Sequence, residues 1–517
     1  MTSSVMELDL ELPPWTIMFI TIFIAFTVLW VFYLKFQGVK RRRERLPPGP
    51  FSWPAIGNLH QLGKLPHRAL QDLSHKYGPL MFLKLGSVPT VVVSSSEIAK
   101  EFLKTHDLAF ASRPTEYALV KHLTPNGIIT APYGAHWRHM RRLCVVELLS
   151  PKRIESYRSV REDEVLDMIR SIWKKSEQGT VPVNVSNSFS SLTSSIIWQI
   201  LSGTKFSDEL NGSGLKEILD EVSATMAVPH IGDYIPSLDW LDLQGVKRHM
   251  KSLRRVMDAA VDKMIDRHVH RNPTANSNNH RVKGFVDVLL EMQKATTADM
   301  EITRDHIKAI IVDIYAAGTD STTAQIEWAM SELIRNPDIA KEVQDEIESV
   351  VGNHRTVTES DLATMESLQC VVKETLRLYP SGPIMVPHES TEACTVGNGY
   401  LIPKKTRVVV NAWAIGRDPK VWEDPLAFKP ERLKYKNIDV KGQDFDMIPF
   451  GAGRRGCPGA QLAMGTISLA LAQLWHCFDW KIEGNPSELD MIETFGTAST
   501  RQCHFYAIPV LRMSSCL

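Results

Sequence analysis

A mostly α-helical body with a small β-lobe, tied to a membrane by one N-terminal helix, is the fold class this chain predicts. Three observations predict it. Trp15 to Leu34 runs for twenty positions without a charge. Apolar residues recur at helical spacing from residue 150 onward. Period-two, β-branched runs are confined to Leu80–Val93 and Arg407–Asn411, too few for an all-β body.

The apolar run comes first. At 1.5 Å per residue it spans about 30 Å, the thickness of a bilayer core. Trp15, Trp30 and Tyr33 lie near its ends, as interfacial anchors do. Glu7, Asp9 and Glu11 precede it; Lys35, Lys40, Arg41, Arg42, Arg43 and Arg45 follow it. The positive-inside rule places everything after residue 35 in the cytosol. A cleaved signal peptide would have a shorter apolar core after basic residues. The span therefore reads as a retained single-pass anchor (1–38, transmembrane about 15–34). The sequons at Asn184 and Asn211 would face the cytosol and stay unused.

Leu46-Pro47-Pro48-Gly49-Pro50 cannot continue a helix. It marks a basic, proline-rich hinge over 39–58, with one body from 59 to 517. Arg271–Lys283 is polar and reads as a long surface loop. Of the 517 residues, 44% are hydrophobic and 23% charged, which excludes a disordered chain. Lys+Arg and Asp+Glu are both 59, so no bulk positive charge recruits nucleic acid. Seven cysteines are odd in number and sparse, which argues for free thiols over a disulfide scaffold.

The sharpest chemical signal is Phe450-Gly451-Ala452-Gly453-Arg454-Arg455-Gly456-Cys457-Pro458-Gly459. Its four glycines permit tight turns and close backbone approach to something flat. A helical pattern, Ala460 to Phe478, follows at once. Cys457 thus sits before a helix N-terminus, where the dipole and free N–H groups favour a thiolate. Such a thiolate serves as nucleophile, redox sensor or axial iron ligand. Arg455 suits an anionic group such as a heme propionate.

The segment resembles the heme-binding loop of the cytochrome P-450 superfamily, Phe-x-x-Gly-x-Arg-x-Cys-x-Gly. Phe450, Gly453, Arg455, Cys457 and Gly459 match every position. The resemblance implies heme b, with Cys457 as the iron ligand and Phe450, Gly451 and Gly459 shaping its bed. In that family the thiolate pushes electron density onto iron and favours O–O cleavage.

Other motifs follow the same pattern. Glu374-Thr375-Leu376-Arg377 places an acid and a base one turn apart in an apolar stretch, and buried charges of this kind need further partners. The resemblance supplies Arg432 from Pro430-Glu431-Arg432-Leu433, where relatives have Phe at the last position. This triad is expected to be structural. Thr303 to Asn336 reads as one long helix, capped by Thr303 and stopped by Pro337. Ala316-Ala317-Gly318-Thr319-Asp320-Ser321-Thr322-Thr323 breaks helix rules in its middle, which often marks function. It resembles the oxygen-activation motif Ala-Gly-x-Asp-Thr. Gly318 would open a groove for dioxygen. Asp320 and a hydroxyl would organise proton delivery, with Ser321 replacing the usual Thr and Thr322 next to it. Trp137 and Arg141 match the family's Trp-x-x-x-Arg helix and would face a propionate, as would His388.

The resemblance extends over essentially the whole chain and points to the plant microsomal A-type enzymes. It implies a triangular α-rich prism and a single-pass endoplasmic reticulum protein with its catalytic domain in the cytosol. The implied activity is a monooxygenase using dioxygen and electrons from NADPH–cytochrome reductase. Two rivals are a heme-thiolate isomerase or dehydratase acting on hydroperoxides, and a non-catalytic heme sensor. The first loses the acid and hydroxyl that Asp320 and Ser321 provide here; the second needs neither relay nor anchor. By family analogy the substrate pocket draws on Ser112–Thr130, Lys205–Trp240, Ile311–Ala317, Ser381–Val386 and Thr494–Ala498. Ala316, Ala317, Gly382, Ile384, Val386 and Ala498 are its apolar or small members. A neutral lipophilic substrate is expected, a terpenoid or a phenolic such as a flavonoid.

Overall fold

The computed structural model describes residues 46–517 apart from 206–214, 271–282, 296–300, 435, 437 and 514–517, together with Met18, Ile22, Phe23, Phe26 and Thr27. Those five are helical and exposed. The rest of the expected anchor, Asn211 and all but Lys283 of the polar loop lie outside the described residues. Among the described residues no helix is long and apolar enough to cross a membrane.

Helices dominate, as their apolar periodicity requires. The largest core joins Val185–Ser202, Arg304–Gly318, Asp320–Arg335, Glu366–Leu378 and Ala460–Cys477. Ala460–Cys477 is apolar around most of its circumference, which suits a buried central helix. A smaller core lies at the β-lobe. There Leu80–Leu85 pairs antiparallel with Val88–Val93, which runs parallel to Arg407–Val410 with Val93 opposite Val410. His388–Glu389 closes that sheet against Arg407–Val410. Val183–Asn184 and Phe478–Lys481 flank Tyr506–Leu511 in a second sheet.

One expectation needs correction. The helix expected over Thr303–Asn336 is two helices, Arg304–Gly318 and Asp320–Arg335, meeting at Thr319, where the backbone is distorted (ψ −71°) but stays right-handed helical and keeps its bonds to Tyr315 O and from Thr323 N–H. Its ends are as expected, with Thr303 accepting from His306 N–H and Pro337 opening the next helix. The proline run, where described, packs against the β-lobe. Phe82 N–H donates to Pro48 O at 2.8 Å. A side chain at Gly49 would strike Phe82 O at 1.9 Å, so this glycine allows the run to lie along the strand.

Candidate functional site

The cysteine loop is built by its glycines. Gly451 and Gly453 hold φ of +70° and +66°, the left-handed region that L side chains avoid. At Gly453 a Cβ would also lie 2.1 Å from Leu103 O. Cys457 N–H donates back to Phe450 O at 2.8 Å, and Gly459 caps Ala460–Cys477. Cys457 is exposed to a water-sized contact, yet protein surrounds it on every side. Burial pushes its thiol up; the N–H groups of Gly459 and Ala460 and the charge of Arg141 pull it back without prevailing. The Gly459 and Ala460 N–H groups at the helix terminus thus act in favour of the thiolate against burial, and a cation beside the sulfur would favour it further.

Around this loop gather one buried and two half-buried cations, Arg113 and then Arg141 and Arg455. Arg455 donates to the carbonyls of Ala111, Ile128 and Ala131 at 2.7, 3.2 and 2.7 Å. Arg113 donates to Ile129, Val386 and Pro387. Arg141 reaches Gly456 O, beside the cysteine. Among the described residues no carboxylate bonds to any of the three guanidinium groups. Burial, then Arg113 and Arg141, pushes Arg455 down to about 8. Burial brings Arg113 down to about 9. His388 is held well below the usual imidazole range by burial and by Arg113, and its Nδ1 pairs with Phe110 O at 2.8 Å. Trp137 does not present its indole N–H to an open site; it donates to Ile128 O at 3.0 Å, and its ring carries the Arg455 guanidinium at 4.1 Å. Sequence reasoning missed Arg113. Its signal was a lone cation between the apolar Leu108–Ala111 and Pro114.

The Glu374 triad is closed upon itself. Both Arg377 and Glu374 are fully buried and share two hydrogen bonds, of 2.8 and 2.7 Å. Arg377 also donates to Gly416, Pro425 and Ala427 carbonyls. Arg432 reaches Glu374 at 3.2 Å, and Lys429 N–H donates to the same oxygen.

Where the two helices meet, Ser321 Oγ donates to Ala317 O at 2.6 Å. Thr497 Oγ1 donates to Asp320 Oδ2 at 2.9 Å, a partnership the sequence did not announce. Thr322 is buried. A Cβ on Gly318 would lie 2.7 Å from Ile197 Cδ1. This glycine therefore also eases the approach of the neighbouring helix. Of the six pocket residues, Ala317 and Val386 are exposed and Gly382 partly so. Ala316 and Ala498 are buried, and Ile384 packs on the β-lobe core. Ser381–His388 joins these parts. Ser381 Oγ donates to Ser321 O at 2.8 Å, Met385 Sδ stands 3.9 Å from the Cβ position of Gly451, and Val386 O holds Arg113.

The donor set fits heme: a thiol whose thiolate a cation would favour, ringed by guanidinium groups needing anions, with glycine backbone between. Comparison with known proteins agrees. A family model described as Cytochrome P450 matches residues 47–503. The chain is 52% identical to Cytochrome P450 750A1 of Pinus taeda over 96% of both chains. It is 44% identical to Cytochrome P450 71AP13 of Prunus mume, over 92% of this chain and 93% of that one. It is 43% identical to Strychnine-11-hydroxylase of Strychnos nux-vomica, over 88% and 89%.

Proposed function

The chain belongs to the cytochrome P450 family and is a heme b monooxygenase, and from that premise we propose that it hydroxylates, or similarly oxidises, a small lipophilic plant metabolite with electrons from an NADPH–cytochrome reductase. Heme, when bound through a thiolate, supplies reductive activation of dioxygen and transfer of one oxygen atom. The protein's own residues do the rest. Cys457 holds the iron, and the glycines on either side let the backbone lie close to a flat group. Arg113, Arg141 and Arg455 hold the propionates, since charge-assisted hydrogen bonds from a guanidinium fork suit carboxylates; neutral His388 stands beside them. Asp320, aimed by Thr497, and Ser321 hold and move protons where the two helices meet. Ala317, Gly382 and Val386 offer an apolar, water-excluding wall, which favours a neutral substrate. The name of the Strychnos relative supports hydroxylation of a plant metabolite; a terpenoid and a phenolic remain the two substrate classes to test.

We place the catalytic body on the cytosolic face of the endoplasmic reticulum membrane. The charge-free run of residues 15–34 supports this. So do exposed Phe51, Trp53, Trp240 and Leu243, at 69, 57, 77 and 63%. Gly57 bridges to Leu85 and Ser87 N–H donates to Tyr234 O, so both stretches flank one strand turn. Deleting residues 1–38 should move the protein toward the soluble fraction with most heme retained; loss of heme incorporation would make the anchor part of the fold.

The observation that carries the functional reading is the arginine cluster around Cys457, with Arg113 buried, Arg141 and Arg455 half-buried, and no carboxylate of the described residues bonded to any of the three. In Cys457→Ser or Cys457→Ala the carbon monoxide difference band of thiolate ligation should vanish together with activity. A retained band refutes the ligand assignment. Reductase-dependent NADPH consumption, with product formed from a terpenoid and phenolic library, tests the reaction.

A further inference from the structure

Asp313 lies in Arg304–Gly318, well before the junction at Thr319, and is 2% exposed. It is outside the proton-delivery motif, yet a carboxyl so buried requires partners. Its Oδ2 accepts from Ile129 N–H at 3.3 Å, and its Oδ1 has no hydrogen-bond partner. Burial pushes the carboxyl up to about 7, while the N–H groups of Ile129 and Ile128 pull it back. Gly127 makes the approach possible, because a Cβ there would sit 2.8 Å from both carboxylate oxygens.

The other face of the same segment meets the arginines. Ile128 O accepts from Arg455 and from the Trp137 indole. Ile129 O accepts from Arg113 at 3.1 Å, and Ala131 O accepts from Arg455. The Ile128–Ile129 peptide thus points its N–H end to an acid and its C=O end to a cation, and the next carbonyls of the turn continue the cationic side. Peptide dipoles in this sense favour both charges at once. We propose that Asp313 is a positioning residue: by holding the N–H groups of Ile128 and Ile129 it sets the carbonyls of this turn that aim Arg113 and Arg455. It links the distal helix to the cationic cluster with no direct ion pair. The proposal rests on the reading that this cluster receives the heme carboxylates.

The test uses the full-length holoenzyme in Asp313→Ala, Asp313→Asn and Gly127→Ala. One readout is hydrogen exchange of the peptide spanning residues 124–131, which does not depend on the heme reading. A second is the propionate bending bands in resonance Raman, with Arg455→Met as reference. Losing one buried hydrogen bond should speed exchange on the order of tenfold in Asp313→Ala, and the propionate bands should move in the direction Arg455→Met moves them. Asp313→Asn keeps an acceptor oxygen and should stay near the parent on both readouts. Gly127→Ala should resemble Asp313→Ala, and it decides the matter if Asp313→Ala yields no holoprotein. Unchanged exchange overturns the proposal, as does faster exchange with unmoved bands while Arg455→Met shifts them. If Arg455→Met itself leaves the bands unmoved, the heme-carboxylate reading fails, and with it the proposal; faster exchange would then show only a structural contact.

Discussion

Arg377 and Arg455 are both arginines drawn into the protein, and they are partnered in opposite ways. Arg377 meets a carboxylate on two hydrogen bonds and shares it with Arg432. Arg455 hydrogen-bonds carbonyl oxygens and lies on the Trp137 ring, with Arg113 and Arg141 close enough to depress its proton affinity and no carboxylate of the described residues bonded to it. Carbonyl dipoles solvate a guanidinium but do not neutralise it. The first group is complete as it stands and serves the fold. The second is complete only with an anion, and serves a ligand.

The largest effect should come from breaking the closed group. Arg377→Ala leaves Glu374 buried with only Arg432 and one N–H to answer it. The cost should be about 3–5 kcal/mol, a large share of a domain's stability. Little folded holoprotein should be recovered, judged by the carbon monoxide difference spectrum per unit of protein and by thermal melting. A heme-replete, stable Arg377→Ala would erase the distinction drawn between the two groups.

Removing a cation from the open group should do less to the fold and more to the ligand. Arg455→Met deletes a half-buried charge that has no carboxylate, so the heme-free protein should lose little stability, or gain some. Heme retention should fall by about 10–100-fold, the worth of a charged hydrogen bond at ~1.5–3 kcal/mol. Competition for heme with an acceptor protein measures the first quantity and melting of the heme-free form the second. Equal damage to both would make Arg455 a structural residue like Arg377.

The contrast was half visible in the sequence. Glu374 and Arg377 are one turn apart, and local spacing is what a sequence displays. The glycines at 451 and 453 were legible for the same reason, since each is demanded by its own backbone conformation. Arg113, Thr497 and Asp313 were not. Each acts through a partner more than a hundred positions away: Arg113 on Val386, Thr497 on Asp320, Asp313 on Ile129. The packing role of Gly318 was hidden likewise, since the atom beside its Cβ position is on Ile197, in another helix. The sheet joining residues 183, 480 and 508 escaped notice for the same cause, since its strands are short and pair only across the chain's length.

The smallest effect on fold, and the finest test, belongs to Ser321. Its hydroxyl donates to Ala317 O where the two helices meet, so it completes the backbone there without closing a charge. Ser321→Ala should leave melting and heme content unchanged within about 0.5 kcal/mol, as for changes outside the core mechanisms of destabilisation. What should change is proton delivery. A misplaced donor lets reduced oxygen leave as hydrogen peroxide, so the ratio of product to NADPH should fall by about tenfold, short of the ~10²–10⁴ of a fully lost proton donor, because water can enter. Thr322 faces about 100° away around the helix and is buried, so it should not compensate. Thr497→Val removes the hydroxyl that aims Asp320 and should uncouple in the same direction by less; Asp320→Asn should slow turnover itself. Ser321→Thr should match or improve the parent, because the added methyl restricts χ1. If Ser321→Ala couples as well as the parent while Asp320→Asn does not, the protons pass from Asp320 and Thr497 by water, and Ser321 belongs with Arg377 among the residues that only hold the structure together.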